Sequence, residues 1–271
     1  MFAANTGIAA TIDEPLEAME KRIGGRLGVA AFDTGSGKRM EHRPNERFAM
    51  CSTFKFLAAA AVLQRSEAGK DDLKRFVRYG SKDILAYAPV TKVHLAEGGM
   101  SLGALCAAAI EQSDNTAGNL LLQTIGGPSG LTAFARTLGD QMTRLDRTEP
   151  ELNDVKAGDD RDTTTPAAMQ HDMILLLTRN VLATNSRHQL EEWLVRNETG
   201  NSLIRAGVPK DWQVGDKTGR SSKGSTNDIA IIRPPNRAPV FLVIYSAESS
   251  VSTEVHDAAI ANIARIVAAE L

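Results

Sequence analysis

Residues 25–33 read GRLGVAAFD and residues 240–246 read VFLVIYS: two apolar runs of strand character lie near opposite ends of a chain whose middle is patterned as helix. The first run continues through Thr34-Gly35-Ser36-Gly37 into residues 38–42, which reads as a β-hairpin closed by a glycine-rich turn. Further strand patterns at 213–218 and 226–233 precede the second run, and an amphipathic helix over about 252–270 follows it. Between these ends, Ala/Leu-rich helical segments at 53–67, 101–112, 115–124, 128–138 and 166–179, with a further piece around 187–196, are separated by Gly, Pro and Asp. Strands at both ends with helices between them predict an α+β fold. One antiparallel sheet would pair the two ends, flanked by N- and C-terminal helices, with an all-α lobe inserted. The expected division is 1–43 plus 197–271 for the sheet lobe and 44–196 for the helical lobe, with the ligand site in the cleft between them.

The bulk properties narrow the classes of function. At 271 residues, 42% hydrophobic and 24% charged, the chain has ordinary globular composition, and 31 basic against 33 acidic residues leave a net charge of −2. No Lys/Arg block exceeds a pair such as Lys21-Arg22, so nothing suggests a nucleic-acid partner. The longest apolar stretch, 54–63, is broken by Lys55 and is well short of the roughly 20 residues that cross a bilayer. Residues 1–11 lack a basic region followed by a long apolar core, so any export signal is expected to be absent from this chain. The histidines at 42, 94, 171, 188 and 256 lack the close pairing of a zinc site, and neither a metal nor another cofactor is expected. The glycine-rich turn is not a phosphate loop, because Phe32 and Arg39 stand where that motif needs Gly and Ser or Thr.

The chemistry is carried by three short motifs. Met50-Cys51-Ser52-Thr53-Phe54-Lys55 puts a serine at the start of an apolar helix with a lysine three residues on, so the two side chains share a face. A serine hydroxyl needs a neighbour to take its proton, and a lysine against an apolar wall has its pKa lowered enough to do so. Alone, this spacing describes a helix-capping serine and a snorkelling lysine just as well. Ser113-Asp114-Asn115 in a loop between helices and Lys217-Thr218-Gly219 at a strand end change that, since all three in this order arise by chance below about one time in a thousand at average composition.

With these motifs, from about Arg26 to the C-terminus, the chain resembles the class A serine β-lactamases, within the penicillin-recognising serine acyl-enzyme family. A fourth element, Arg147-Thr148-Glu149-Pro150-Glu151-Leu152-Asn153 closed by Arg161-Asp162-Thr163-Thr164, resembles that family's Ω-loop, here about 144–162. The resemblance implies hydrolysis of the β-lactam amide of penicillins and cephalosporins through a serine acyl-enzyme, and with it antibiotic resistance. Ser52 would be the nucleophile, with Lys55 and Glu149 as candidate bases. Ser113 would relay a proton to the leaving nitrogen. Lys217 and Thr218 would hold the substrate carboxylate, and Asn115 the side-chain amide. The backbone N–H groups of Ser52 and of Arg220, which follows Gly219, would form the oxyanion hole. Glu149 and Asn153 would hold the deacylating water. Arg147 and Asp162 would staple the loop, Tyr87 would wall the cleft mouth, and Asp114 would organise its loop. The resemblance further implies a monomer, periplasmic or secreted, whose partner is the small-molecule β-lactam.

The chain departs from the family in three places. The arginine that many members carry beyond the Lys-Thr-Gly triplet is Thr226 here, leaving Arg220 and Arg205 as candidates for the carboxylate grip, each also readable as a solvated cation. Cys51 and Cys106 both face family disulfide positions whose partners are Ser221 and Ala59, so both thiols are expected to be free. A D,D-peptidase or a β-lactam sensor would share the first three motifs but lack the deacylating glutamate, which distinguishes them from this chain. A lipase-type hydrolase would need Gly-x-Ser-x-Gly, which is absent.

Overall fold

In the computed structural model, which describes residues 13–271, the hairpin and the terminal runs pair as one sheet. The expectation for residues 1–11 lies outside the described residues. Helix α1 (Asp13–Ile23) leads into β1 (Arg26–Asp33) and β2 (Arg39–His42), which pair with Val29 opposite His42 and Phe32 opposite Arg39. A two-residue strand β3 (Phe48–Ala49) and a 3-10 turn at Cys51–Thr53 precede α2 (Phe54–Glu67). Next come β4 (Phe76–Arg78), β5 (Gly99–Ser101), α3 (Leu102–Glu111), α4 (Asn115–Ile125) and α5 (Gly127–Thr137). After a long loop follow β6 (Thr163–Thr164), α6 (Pro166–Thr178), α7 (Thr184–Val195) and the single turn α8 (Ile204–Gly207). Strands β7 (Gln213–Ser221), β8 (Ser225–Arg233) and β9 (Val240–Ala247), then α9 (Thr253–Glu270), close the chain.

The sheet order is β2-β1-β9-β8-β7, every neighbour antiparallel, so the first and last thirds of the chain meet at the β1–β9 ladder. Every residue of β9 is buried because both faces of the sheet are covered. Alternation sorts the side chains. Val29, Ala230, Ile232, Leu242 and Ile244 join Leu16 of α1 and Ile260, Ile263 and Val267 of α9. Ile229, Ile231, Phe241, Val243 and Tyr245 join the core of α2, α3, α4 and α6 on the other face. Helix α2 is buried at every position from Phe54 to Leu63, as expected of a helix apolar all round. No helix among the described residues is long and apolar enough to cross a membrane.

The segment expected to be wholly helical also holds two small strand pairs, β3 with β6 and β4 with β5. Strands of two or three residues are too short to show a period of two, so they leave no trace in the pattern. The β3–β6 pair joins the residues just before Ser52 to those just after Asp162.

Candidate active site

Ser52 lies in the 3-10 turn rather than in the first turn of α2, after Cys51 in a left-handed backbone conformation (φ 46°). One turn on, Lys55 is fully buried, and its Nζ reaches four oxygens: Ser52 Oγ at 2.7 Å, Asn115 Oδ1 at 2.6 Å, Ser113 O at 2.8 Å and Glu149 Oε1 at 3.1 Å. An ammonium has three hydrogens, so four acceptors leave one hydrogen shared between two of them. Burial pushes the Lys55 pKa down, against the opposing pull of Glu149. Ser52 Oγ also donates to Glu149 Oε1 at 3.1 Å, so serine, lysine and glutamate close a triangle of polar atoms. Helix α4 passes close enough that a Cβ on Gly118 would stand 2.7 Å from Lys55 Cε, so glycine there makes room for the lysine stem.

Lys217 on β7 is also fully buried and donates to Ser113 Oγ at 3.0 Å and Thr218 O at 2.8 Å. Burial, with the Lys55 charge next, pushes its pKa down to about 7. Asp114 holds the loop between them. It caps α4 through Ala117 N and takes both Val90 N and Thr91 N, the organising role expected of it. Behind Lys217, the buried Asp216 is bound by Arg205 and by Asn197 Nδ2 at 2.6 Å. Beside it Asp228 accepts from Ile204 N, and burial raises both carboxyls.

The 144–162 loop supplies Glu149 and Asn153. Glu149 is almost completely buried, and Asn153 Nδ2 donates to its Oε2 at 2.5 Å and to Pro150 O at 3.0 Å. Asn153 Oδ1 is buried with no protein partner, an acceptor aligned beside the carboxylate. Asp162 staples the loop: its Oδ2 takes Arg147 Nε at 2.6 Å, and its Oδ1 takes the backbone N–H groups of Asp146 and Arg147. Met50 N donates to Asp162 O at 3.0 Å, tying the loop neck to the serine segment.

Ser52, Ser113, Asn115, Glu149, Asn153, Thr218, Gly219, Arg220 and the half-exposed Tyr87 line one cleft of about 330 Å³. Concavities of comparable or larger volume lie behind residues 155–160 and beside α7, but neither joins a nucleophile to a base. Of the two arginines considered for the rim, Arg205 does not reach the cleft, nor is it solvated: it is consumed by Asp216 and the carbonyls of Leu194 and Val195. Arg220 stays at the rim, bonded to Asp257 Oδ1 at 2.6 Å and near Thr226 Oγ1 at 3.4 Å. Cys51 and Cys106 are free and buried, and burial pushes the Cys51 thiol up to about 12.

Three polar residues at the site had not been singled out in the sequence. Asn119 brackets Glu149, accepting from its N and donating to its O, both at 2.9 Å. Its signal was its place four residues after Asn115, on the same helical face. Thr199 meets Thr218, Oγ1 to Oγ1, at 2.5 Å. Asn227 reaches the carbonyls before Cys51. No local pattern marks the last two, whose partners are remote in the chain.

Compared with known proteins, residues 11–271 match the model of the family described as "Beta-lactamase enzyme family". The chain is 49% identical over 259 residues to the β-lactamase CTX-M-97 of Escherichia coli, covering 96% of this chain and 89% of that protein. It is 46% identical over 255 residues to a β-lactamase of Amycolatopsis lactamdurans, covering 94% and 83%. The structure of the class A β-lactamase of the last common ancestor of Gram-negative bacteria superposes with a TM-score of 0.94 at 55% identity, covering 96% of this chain and 99% of that one. A class A protein described as putative, PenP from Rhodopseudomonas palustris, superposes with a TM-score of 0.93 at 48% identity, covering 97% and 100%.

Proposed function

The chain belongs to the β-lactamase enzyme family, as a class A serine enzyme that hydrolyses the cyclic amide of penicillins and cephalosporins, and we propose that Ser52 carries the acyl group and Glu149 activates the water that removes it. The observation behind this reading is the closed triangle of Ser52 Oγ, Lys55 Nζ and Glu149 Oε1, with Lys217 Nζ on Ser113 Oγ facing it.

In acylation, Ser52 Oγ attacks the lactam carbonyl while its proton passes to the Lys55–Glu149 pair, whose two basic atoms both bond the hydroxyl. The developing oxyanion is received by the backbone N–H groups of Ser52 and Arg220. The C–N bond breaks, and the nitrogen takes its proton from Ser113 Oγ, which takes one in turn from Lys217 Nζ, bonded to it at 3.0 Å. Lys217, Thr218 and the Arg220 side chain bind the substrate carboxylate. Asn115, whose Oδ1 is fixed on Lys55, turns its Nδ2 to the side-chain amide, and Tyr87 walls the mouth. In deacylation, a water between Glu149 and Asn153 Oδ1 gives its proton to Glu149, attacks the ester carbon, and releases Ser52 with its proton restored. Arg147 and Asp162 hold the loop that keeps Glu149 in place.

The core cluster confined to residues between Leu16 and Met40 and between Leu203 and Val267 supports reading 1–43 with 197–271 as one lobe and 44–196 as the other. One chain supplies every group named, which supports a reading of the enzyme as a monomer, and the substrate class supports a periplasmic or secreted location.

Intact mass spectrometry with excess benzylpenicillin, alongside ultraviolet absorbance, tests the assignment. The wild type should turn over many equivalents and return to its native mass, Ser52→Ala should form no adduct, and Glu149→Gln should accumulate one. An adduct on Ser52→Ala would overturn the assignment of the nucleophile.

A further inference from the structure

The oxyanion hole read above joins two backbone N–H groups from segments with no ladder of hydrogen bonds between them. Ser52 N belongs to the 3-10 turn, and Arg220 N belongs to β7, the edge strand of the sheet. Such donors act only when held about 2.7–3.1 Å from the developing oxyanion, so the gap between the segments has to be set by something else. Gly219 permits the approach: a Cβ there would stand 2.8 Å from Met50 O and 3.2 Å from Ser52 N. Permission is not attraction, however.

The attraction comes from the next strand. Asn227 on β8 is the register partner of Gly219 and is fully buried. Its Nδ2 donates to Ala49 O at 2.8 Å and to Met50 O at 3.3 Å, while its Oδ1 accepts from Ser246 N on β9 at 3.2 Å. The amide thus grips two successive carbonyls just before the left-handed Cys51 and anchors them to the strands behind β7. Thr53 Oγ1 adds a bond to Met50 O at 2.8 Å and meets Tyr245 Oη at 2.9 Å, which fixes the same carbonyl from below. Among uncharged side chains of this size, a primary amide both accepts from Ser246 N and donates twice; a carboxylate cannot donate, and a serine is too short to span the gap.

We propose that Asn227 is a positioning residue for the oxyanion hole, drawing the Ala49–Met50 backbone against the sheet so that Ser52 N and Arg220 N converge on one point. The inference rests on the acyl-enzyme reading above. Asn227 touches no reacting atom, so its effect has to appear in the polarisation of the acyl carbonyl rather than in substrate binding.

The experiment uses the Glu149→Gln protein, in which the acyl-enzyme accumulates, with Asn227→Leu or Asn227→Ser added. Leu matches the shape and removes both polar ends; Ser is the milder change if Leu does not fold. The ester carbonyl band of the benzylpenicillin adduct is read by isotope-edited infrared difference spectroscopy, and acylation by stopped flow. The expected result is a band shifted to higher frequency and broadened, with acylation slowed about 10- to 100-fold, less than deleting a hole donor outright costs. Binding of benzylpenicillin to the corresponding Ser52→Ala double variants should stay near that of Ser52→Ala alone. An unshifted band with acylation within about twofold of the parent, in either folded variant, overturns the inference. Failure of the Glu149→Gln parent to form any adduct overturns instead the reading on which it rests.

Discussion

The two sides of the cleft are held by different physics. On one side, Lys55 and Lys217 have no exposed surface and rise from α2 and β7, two regular elements of the fold. On the other side, Glu149 and Asn153 come from a loop that buries only two apolar side chains, Leu145 and Leu152, and is otherwise held by a few polar contacts: Arg147 with Asp162, Asn119 on the Glu149 backbone, and Met50 N on Asp162 O. The groups proposed to form the acyl-enzyme therefore share the stability of the fold. Those proposed to remove it share only the stability of a stapled loop, which opens locally at lower cost. The two half-reactions should respond separately to substitution, and the proposed mechanism stands on that separation.

The largest separation is expected at Glu149. Glu149→Gln should slow deacylation about 1,000-fold, within the range of general-base catalysis, and slow acylation far less, because Lys55 still bonds Ser52 at 2.7 Å. Pre-steady-state kinetics with benzylpenicillin should show a full burst followed by a stall. Equal loss in both steps would mean that the two sides work as one unit.

Asp162→Asn sharpens the comparison, because it keeps the Oδ1 acceptor for the two backbone N–H groups and puts an uncharged NH2, which cannot accept, in place of the carboxylate oxygen facing Arg147 Nε. With the Arg147 side chain 21% exposed, the loss should be about 2 kcal/mol, below the figure for a wholly buried pair. Deacylation should fall tens-fold and acylation only a few-fold, while thermal unfolding reports the stability change.

On the rigid side, the test is pH. Lys217 is pushed down to about 7 from 10.5, so between those values the folded protein binds fewer protons here than the unfolded chain does. Stability from this group therefore rises with pH across that window, the unfavourable contribution being fully present below about 7 and relieved above 10.5. Lys217→Met should remove that component from a pH series of denaturant titrations. In the wild type, kcat/KM for carboxylate-bearing substrates should fall several-fold over the same window as the ammonium is lost, with kcat flatter than kcat/KM because bound substrate holds the proton on.

What was legible in advance follows the same division. The strands at 240–246 and 226–233, the buried α2 and the Ser52/Lys55 spacing could be read because local period and composition reflect burial in regular elements. The left-handed Cys51 could not, since the contacts on the backbone just before it come from far away in the chain: Asn227, 178 residues from Ala49, and the β3–β6 pair. Nor could the fate of Arg205, which as a lone cation in sequence looks solvated but pairs with Asp216 because that strand residue faces inward. Asn119 was half legible: its helical face was known, but the loop backbone it brackets comes from 30 residues away.

The smallest effect is expected at the rim, where the comparison can be tested by salt. Arg220 is partly exposed and already paired with Asp257, whose Oδ2 accepts from Ser202 Oγ at 2.6 Å, so its attraction for a substrate carboxylate is both shared and screened. Arg220→Ala should raise KM for benzylpenicillin about threefold to fivefold and leave kcat nearly unchanged, the signature of a contact made equally in ground and transition states. At 1 M salt, where the screening length drops to about 3 Å, that difference should shrink toward nothing, while the effect of Lys217→Met persists because its site excludes solvent. A salt-insensitive Arg220 effect would place this guanidinium with the buried lysine rather than at the solvated rim.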